Sequence, residues 1–364
     1  MQLSARTPVS IITGFLGSGK TTLLNHVLAD PGMAGAVVII NEFGEIGLDH
    51  LLIATPNENT VLLTSGCICC TVRGDLVDTL RDLDAGRRNG GWEGGILSFD
   101  RVLIETTGLA DPVPIIQTVI VDEKIAPRFK LDSVVTLVDA VNGMSQLDAQ
   151  REAVKQAAVA DRLLITKTDI AEPRVTELLQ QRLSRINPGA LMQAAQRGEI
   201  APALLFGAAI NSQARGPDLD RWLRGKALAP SEIVDKNHHD DHIQAFSFYL
   251  DEPISGMGMS AWLTALASLR GANLLRVKGL LNVEGRPVAV HAVQTLIHEP
   301  ITLVQWPDAD RRSRLVFITR DMAREEIEAT LDVLRLKPST VSNRPHPLDP
   351  SAYAKFLAAM KKVH

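Results

Sequence analysis

An apolar run at residues 9–12 leads into Gly14-Phe15-Leu16-Gly17-Ser18-Gly19-Lys20-Thr21-Thr22, which opens into a helix-like stretch at residues 23–29. No other part of the chain restricts its fold so tightly. Gly14 and Gly19 permit the positive or crowded backbone angles through which successive N–H groups converge on phosphate oxygens, and Gly17, Ser18 and Thr22 belong to the same nucleotide-binding stretch. The amides lie at a helix N-terminus, where unpaired donors and the macrodipole both favour an anion. Lys20 can then reach the outer phosphates, and the Thr21 hydroxyl is placed to ligate a magnesium ion bridging them. A strand, this loop and a helix in succession imply an α/β fold built on a phosphate loop.

The rest of the chain fits that fold. Over residues 1–210, β-branched runs at 9–13, 36–41, 61–64, 101–105, 133–139, 162–166 and 203–206 alternate with helical patterns at 21–29, 73–85, 112–121, 145–158 and 173–187. This is the signature of a mostly parallel sheet covered on both faces. A composition shift at residues 211–242, ending in Asp-Lys-Asn-His-His-Asp-Asp-His, reads as an interdomain linker. Beyond it, strand patterns at 243–250, 274–283, 286–294 and 314–319 and helical patterns at 260–269 and 323–336 predict a smaller α+β domain over 243–336. A tail at 337–364 carries a short amphipathic pattern at 351–361.

With 364 residues the chain has room for about two domains. A net charge of −4 lacks the electrostatic footprint of a nucleic-acid binder. No signal-peptide core and no run of about 20 apolar residues is present, which predicts a cytoplasmic protein without membrane contact. A homo-oligomer is compatible with all of this.

The strand-end string Ile104-Glu105-Thr106-Thr107-Gly108 puts Glu105 where it can hold magnesium through a water and Gly108 where its N–H can meet a terminal phosphate. Lys20, Glu105 and Gly108 are therefore the candidate catalytic set. A second strand ends in Thr166-Lys167-Thr168-Asp169. There Asp169 can accept two hydrogen bonds from guanine while the Lys167 stem covers the ring, so guanosine triphosphate is favoured over adenosine triphosphate. Thr166 stands where that pattern has asparagine. The segment 41–49 has the glycine spacing of a mobile loop, and Glu42 and Asp49 in it are further candidates for magnesium contact and for sensing the terminal phosphate. No arginine finger or general base is evident, which predicts slow intrinsic hydrolysis of GTP to GDP and phosphate.

All three cysteines of the chain, Cys67, Cys69 and Cys70, fall just after the strand pattern at 61–64. An odd number crowded together points to metal or redox chemistry rather than to a disulfide framework. In extended chain Cys67 and Cys69 share a face and a turn brings in Cys70. Three thiolates suit zinc, and after local adjustment cobalt(II), copper(I) or nickel. A vicinal redox pair at Cys69 and Cys70 is the other reading, and packing of small thiols a third. His238, His239 and His242 in the linker are candidates for a missing fourth ligand or a separate acquisition site.

These strings in this order, with Gly108-Leu109-Ala110-Asp111-Pro112, Leu275-Arg276-Val277-Lys278-Gly279-Leu280 and the stretch 306–319, resemble the CobW family of metallochaperone GTPases over residues 7–335. The resemblance implies a phosphate-loop GTPase related to the hydrogenase and urease nickel-insertion GTPases. It implies that Lys20 and Thr21 bind phosphate and magnesium, that Asp169 reads guanine, and that Cys67, Cys69 and Cys70 hold a cargo ion, zinc first and cobalt second, for a metalloenzyme client. The alternative is a regulatory GTPase switch that holds zinc structurally and binds a protein partner. Thr166 departs from the family pattern, and the tail has no counterpart in it.

Overall fold

The computed structural model describes residues 6–41, 60–63, 71–89, 99–208, 242–268 and 273–336. In the first domain β1 (Thr7–Gly14), β2 (Ala36–Asn41), β3 (Thr60–Leu63), β4 (Arg101–Thr106), β5 (Phe129–Asp139), β6 (Arg162–Thr166) and β7 (Leu191–Ala194) form one sheet in the order β3-β2-β4-β1-β5-β6-β7. Every pairing in it is parallel. Parallel strands are covered on both faces, which is why these runs are apolar throughout rather than alternating.

Around the sheet lie α1 (Lys20–Ala29), α2 (Thr71–Asn89), α3 (Val113–Val121), α4 (Gly143–Ala149), α5 (Arg151–Val159) and α6 (Pro173–Ile186). Successive strand residues point to opposite faces. Ile11, Ile39 and Ile104 therefore pack with Leu76, Leu80, Ile116 and Val119 of α2 and α3, while Ile12, Val38 and Ile40 pack with Leu23, Leu24 and Val27 of α1. Leu163 and Ile165 of β6 meet α4, α5 and α6 in a further cluster.

Two expectations from sequence are corrected in this domain. The apolar residues 203–206 are not a strand: Pro202–Leu204 is a 3-10 turn, begun by a residue whose fixed φ suits a helical first turn and which has no N–H for a ladder. The last strand is β7, whose half-exposed Leu-Met-Gln-Ala lacks the β-branched signal. The helix expected over 145–158 is instead two, because Gln150 is extended (φ −126°, ψ 112°) between α4 and α5.

The second domain consists of β8 (Ile243–Leu250), α7 (Gly256–Ser268), β9 (Leu274–Val283), β10 (Arg286–Val293), β11 (Leu296–Ile297), β12 (Ile301–Thr302), β13 (Ser313–Arg320) and α8 (Arg324–Leu331). Its sheet runs β11-β10-β9-β13-β8, with β12 beside β10, and all its named pairings are antiparallel. The expected helix over 323–336 ends as a 3-10 turn, Asp332–Arg335. Trp262 of α7 meets Phe317 edge-on at 6.3 Å, and Phe317 meets Phe248 at 5.5 Å, which centres this core.

Central strand β9 is buried along its whole length. Leu275 and Ile318 join the cluster of α4, α5 and α6, so the second domain packs directly on the first. Arg276 donates to the Val159 carbonyl at the end of α5 and to the Asp161 carboxylate, and Lys278 reaches Asp161 at 3.2 Å. Asp161 also accepts the Val134 N–H at 3.0 Å. The linker at 211–242 lies outside the described residues save His242, and the tail at 337–364 lies outside them entirely.

Candidate nucleotide site

Because the strands are parallel, their carboxyl ends share one edge, where open α/β sheets place their ligands. Gly14 ends β1 opposite Leu137, Glu105 stands level with Ile12 and Ile40, and Asp139 pairs with Thr166. The phosphate loop leaves β1 here and turns through Gly14 (φ 144°), Gly17 (φ 71°) and Gly19 (φ 94°) into α1. A side chain at Gly14 would lie 2.5 Å from the Leu137 carbonyl and 2.7 Å from Ser18 Oγ, so glycine is demanded there by space as well as by angle.

The loop has the properties of an anion cradle. No side chain caps α1, and no acidic residue lies in its first turn, leaving the positive end of the helix facing the loop. The buried Lys20 ammonium donates to the Gly14 carbonyl at 3.0 Å and the Phe15 carbonyl at 3.4 Å, folded over its own loop. Ser18 Oγ is buried with no hydrogen-bond partner among the described residues. Buried hydroxyls are ordinarily satisfied, and a phosphate oxygen fits that need. Thr21 follows Lys20 in the first turn of α1, half-buried.

On one side the loop after β4 closes against the cradle. A Cβ at Gly108 would lie 2.6 Å from the Leu16 nitrogen, so this backbone packs directly onto the phosphate loop. Glu105, 3% exposed, precedes it at the strand end. Gln156 of α5 donates through Nε2 to the carbonyls of Gly108 at 3.2 Å and Ala110 at 2.9 Å, and Lys155 pairs with Asp111.

On the other side stands the string Thr166-Lys167-Thr168-Asp169. Thr166 Oγ1 donates to the Ser18 carbonyl at 2.7 Å and so ties the end of β6 to the phosphate loop. Lys167, in the left-handed region at φ 58°, donates to Asp139 Oδ2 at 2.7 Å. Burial alone would push the Asp139 carboxyl up, but Lys167, Asn142 and the Val141 N–H together hold it below the ordinary carboxylate range. Asp169 stays partly exposed, with Arg197 Nε 3.9 Å away on the turn after β7.

The fold thus brings Gly14, Gly17, Ser18, Gly19, Lys20, Thr21, Thr22, Glu105, Gly108, Thr166, Lys167 and Asp169 to one sheet edge. Asp139, Gln156 and Arg197 are neighbours that the sequence reading missed. Asp139 had a signal, since it ends a predicted strand on this edge. Cys67, Cys69, Cys70, Glu42, Asp49, His238 and His239 lie outside the described residues. β2 and β3 end side by side, Asn41 opposite Leu63, so the segments that carry Glu42 and Cys67 both start from the nucleotide edge. His242 is exposed, and its Nδ1 pairs with Asp321 in the second domain.

Comparison with known proteins agrees with this architecture. The family model described as CobW/HypB/UreG, nucleotide-binding domain, matches residues 8–193, and the cobalamin synthesis protein cobW C-terminal domain matches residues 243–335. Zinc chaperone YjiA of Escherichia coli (strain K12) is 37% identical over 329 residues, which cover 90% of this chain and 98% of that protein. Zinc chaperone CobW of Pseudomonas aeruginosa is 30% identical over 348 residues, covering 88% and 90% of the two chains. The crystal structure of a Zn(II)-bound triple mutant of YjiA GTPase superimposes with a TM-score of 0.69 at 30% identity, covering 92% of this chain and all of that one.

Proposed function

Since this chain belongs to the CobW family, sharing both its nucleotide-binding and its C-terminal domain, we propose that it is a GTP-hydrolysing metallochaperone. In this reading it binds zinc, or as second choice cobalt(II), through Cys67, Cys69 and Cys70 and passes the ion to a client metalloenzyme in the cytoplasm. One observation supports it above the others: β2 and β3 end beside each other on the edge that carries the phosphate loop. The chain that leads to Cys67 leaves β3 on that same edge, and two zinc chaperones align over 90% and 88% of this chain at 37% and 30% identity.

Lys20 and the amides of residues 14–22 hold the phosphates, Asp169 accepts from guanine, and the Lys167 stem lies along the ring. The magnesium that accompanies GTP falls to Thr21 and Glu105, with Glu42 and Asp49 as the further oxygen donors; such an ion neutralises charge that builds on the phosphates. Three thiolates are a soft set matched to zinc, with His238, His239 or His242 as the source of a fourth ligand. Among the described residues no helix is long and apolar enough to cross a membrane.

GTP would order the 41–49 segment and the cysteines together, and hydrolysis would release both. Linkage makes such coupling reciprocal, so zinc must tighten GTP binding by the same factor by which GTP tightens zinc. Titration of a nonhydrolysable GTP analogue with and without zinc should differ by about tenfold or more; equal affinities sink the proposal. Zinc held equally in the GDP and GTP states would favour the switch with a structural zinc. Cys67→Ala and Cys69→Ala should remove tight zinc binding and leave metal-free GTP binding intact. The readout is affinity rather than presence of zinc, because the related variant lacking a glutamate and two neighbouring cysteines still crystallised with Zn(II) bound.

A further inference from the structure

Gln156 is a buried polar side chain in the middle of α5 that the proposed chemistry does not use. Its amide has only one sensible orientation. Nε2 faces two carbonyl oxygens, those of Gly108 and Ala110, and both of its hydrogens are taken by them. Turned over, Oε1 would face two acceptors. In the observed orientation Oε1 is buried without a partner among the described residues. An apolar side chain of equal length would spare that cost but leave the two carbonyls without these donors. What glutamine adds is two donors aimed at one short stretch of backbone.

That stretch is the one packed on the phosphate loop at Leu16. α5 grips it twice, since the neighbouring Lys155 pairs with Asp111. The helix itself is held firmly: Thr136 Oγ1 donates to the Gln156 carbonyl at 2.8 Å, and Asn187 Nδ2 donates to the carbonyls of Ala157, Ala158 and Ala160 at 2.9, 3.0 and 2.9 Å. Gln156 therefore reaches the loop from a rigid base.

We infer that Gln156 is a positioning residue for the terminal phosphate: by holding the Gly108 and Ala110 carbonyls it fixes the turn in which the Ala110 N–H donates to the Thr107 carbonyl at 3.1 Å, and hence the Thr107–Gly108 peptide whose N–H meets the γ-phosphate. It acts through Gly108 and does not itself touch nucleotide. The inference rests on the reading of Gly108 as the terminal-phosphate contact. GDP lacks that phosphate, so its binding is independent of Gln156.

The test compares affinity for a nonhydrolysable GTP analogue with affinity for GDP in the full chain, for wild type, Gln156→Met and Gln156→Glu. Gln156→Met should lose roughly tenfold in analogue affinity with GDP affinity held within about twofold. Glutamate donates only when protonated, so Gln156→Glu should recover analogue binding relative to wild type at pH 5.5 compared with pH 8, a trend absent from Gln156→Met. Equal losses for GDP and analogue, or no loss for either, overturn the inference, as does a Gln156→Glu variant without that pH trend. If wild type itself shows no preference tied to the third phosphate, it is the reading of Gly108 that fails.

Discussion

Thr166 stands where the guanine pattern has asparagine. Its Oγ1 bond to the Ser18 carbonyl joins the end of β6 to the phosphate loop. Thr166→Val preserves shape and removes that bond, so nucleotide affinity should fall by about three- to tenfold, measured by calorimetry with GDP. In the proposed function Asp169 selects the base. Guanine offers it two donors, whereas xanthine puts a carbonyl in place of the exocyclic amine. Asp169→Asn should therefore weaken GTP binding by roughly a hundredfold and improve XTP binding, checked by competition between the two nucleotides. The placement of Lys20, Thr21 and Asp169 on one sheet edge was legible in sequence because each follows an apolar run at fixed spacing. Asp139 and Arg197 matter because β5 and β7 flank β6, and strand order is a long-range fact that spacing does not carry.

At the scale of elements, α5 is short, and its end is satisfied from outside. Asn187 caps the carbonyls of Ala157, Ala158 and Ala160, and Arg276 bonds that of Val159. Helix ends leave such groups without intrahelical partners. Asn187→Ala removes the two hydrogens that three buried carbonyls share, of which Ala157 alone keeps a second donor, the Ala160 N–H at 3.4 Å, and should cost about 2 kcal/mol, seen as a lower urea midpoint at unchanged slope. The parallel strands and amphipathic helices were readable from period alone; Leu179, Leu183 and Ile186 of α6 recur on one face and are buried as that spacing predicts. The break at Gln150 was not readable. It lacks glycine or proline, so no local signal marks the division of α4 from α5.

At the scale of the whole molecule, the two domains meet across charge. Burial alone would raise the Asp161 carboxyl, but Arg276 and Lys278 hold it low, while burial and Arg276 push Lys278 down to about 8. Beside them His291 and His298 stack at 4.2 Å. Burial, opposed by Asp161 and assisted by Arg276 and Lys278, pushes His298 down to about 4, and burial, His298 and the same cations take His291 well below its ordinary value. A histidine whose folded pKa lies below its unfolded one leaves the unfolded chain to bind the proton first. Stability present above pH 6.5 is then lost as pH falls through 6.5 toward 4. Wild type should lose roughly 1–3 kcal/mol more over that window than a His291→Gln/His298→Gln variant, read from urea unfolding at pH 6.5 and 4.5.

The seating of Arg276 against Val159 and Asp161 has a consequence for how such a protein can be divided. A chain cut before β8 would keep every residue of the phosphate loop and both nucleotide-edge strings, yet it would expose a carboxylate and a helix-end carbonyl shaped around a guanidinium that is no longer there. The nucleotide half is thus not a portable cassette. Any chimaera that exchanges the second half has to bring an arginine to the same notch, or redesign α5 to end without one.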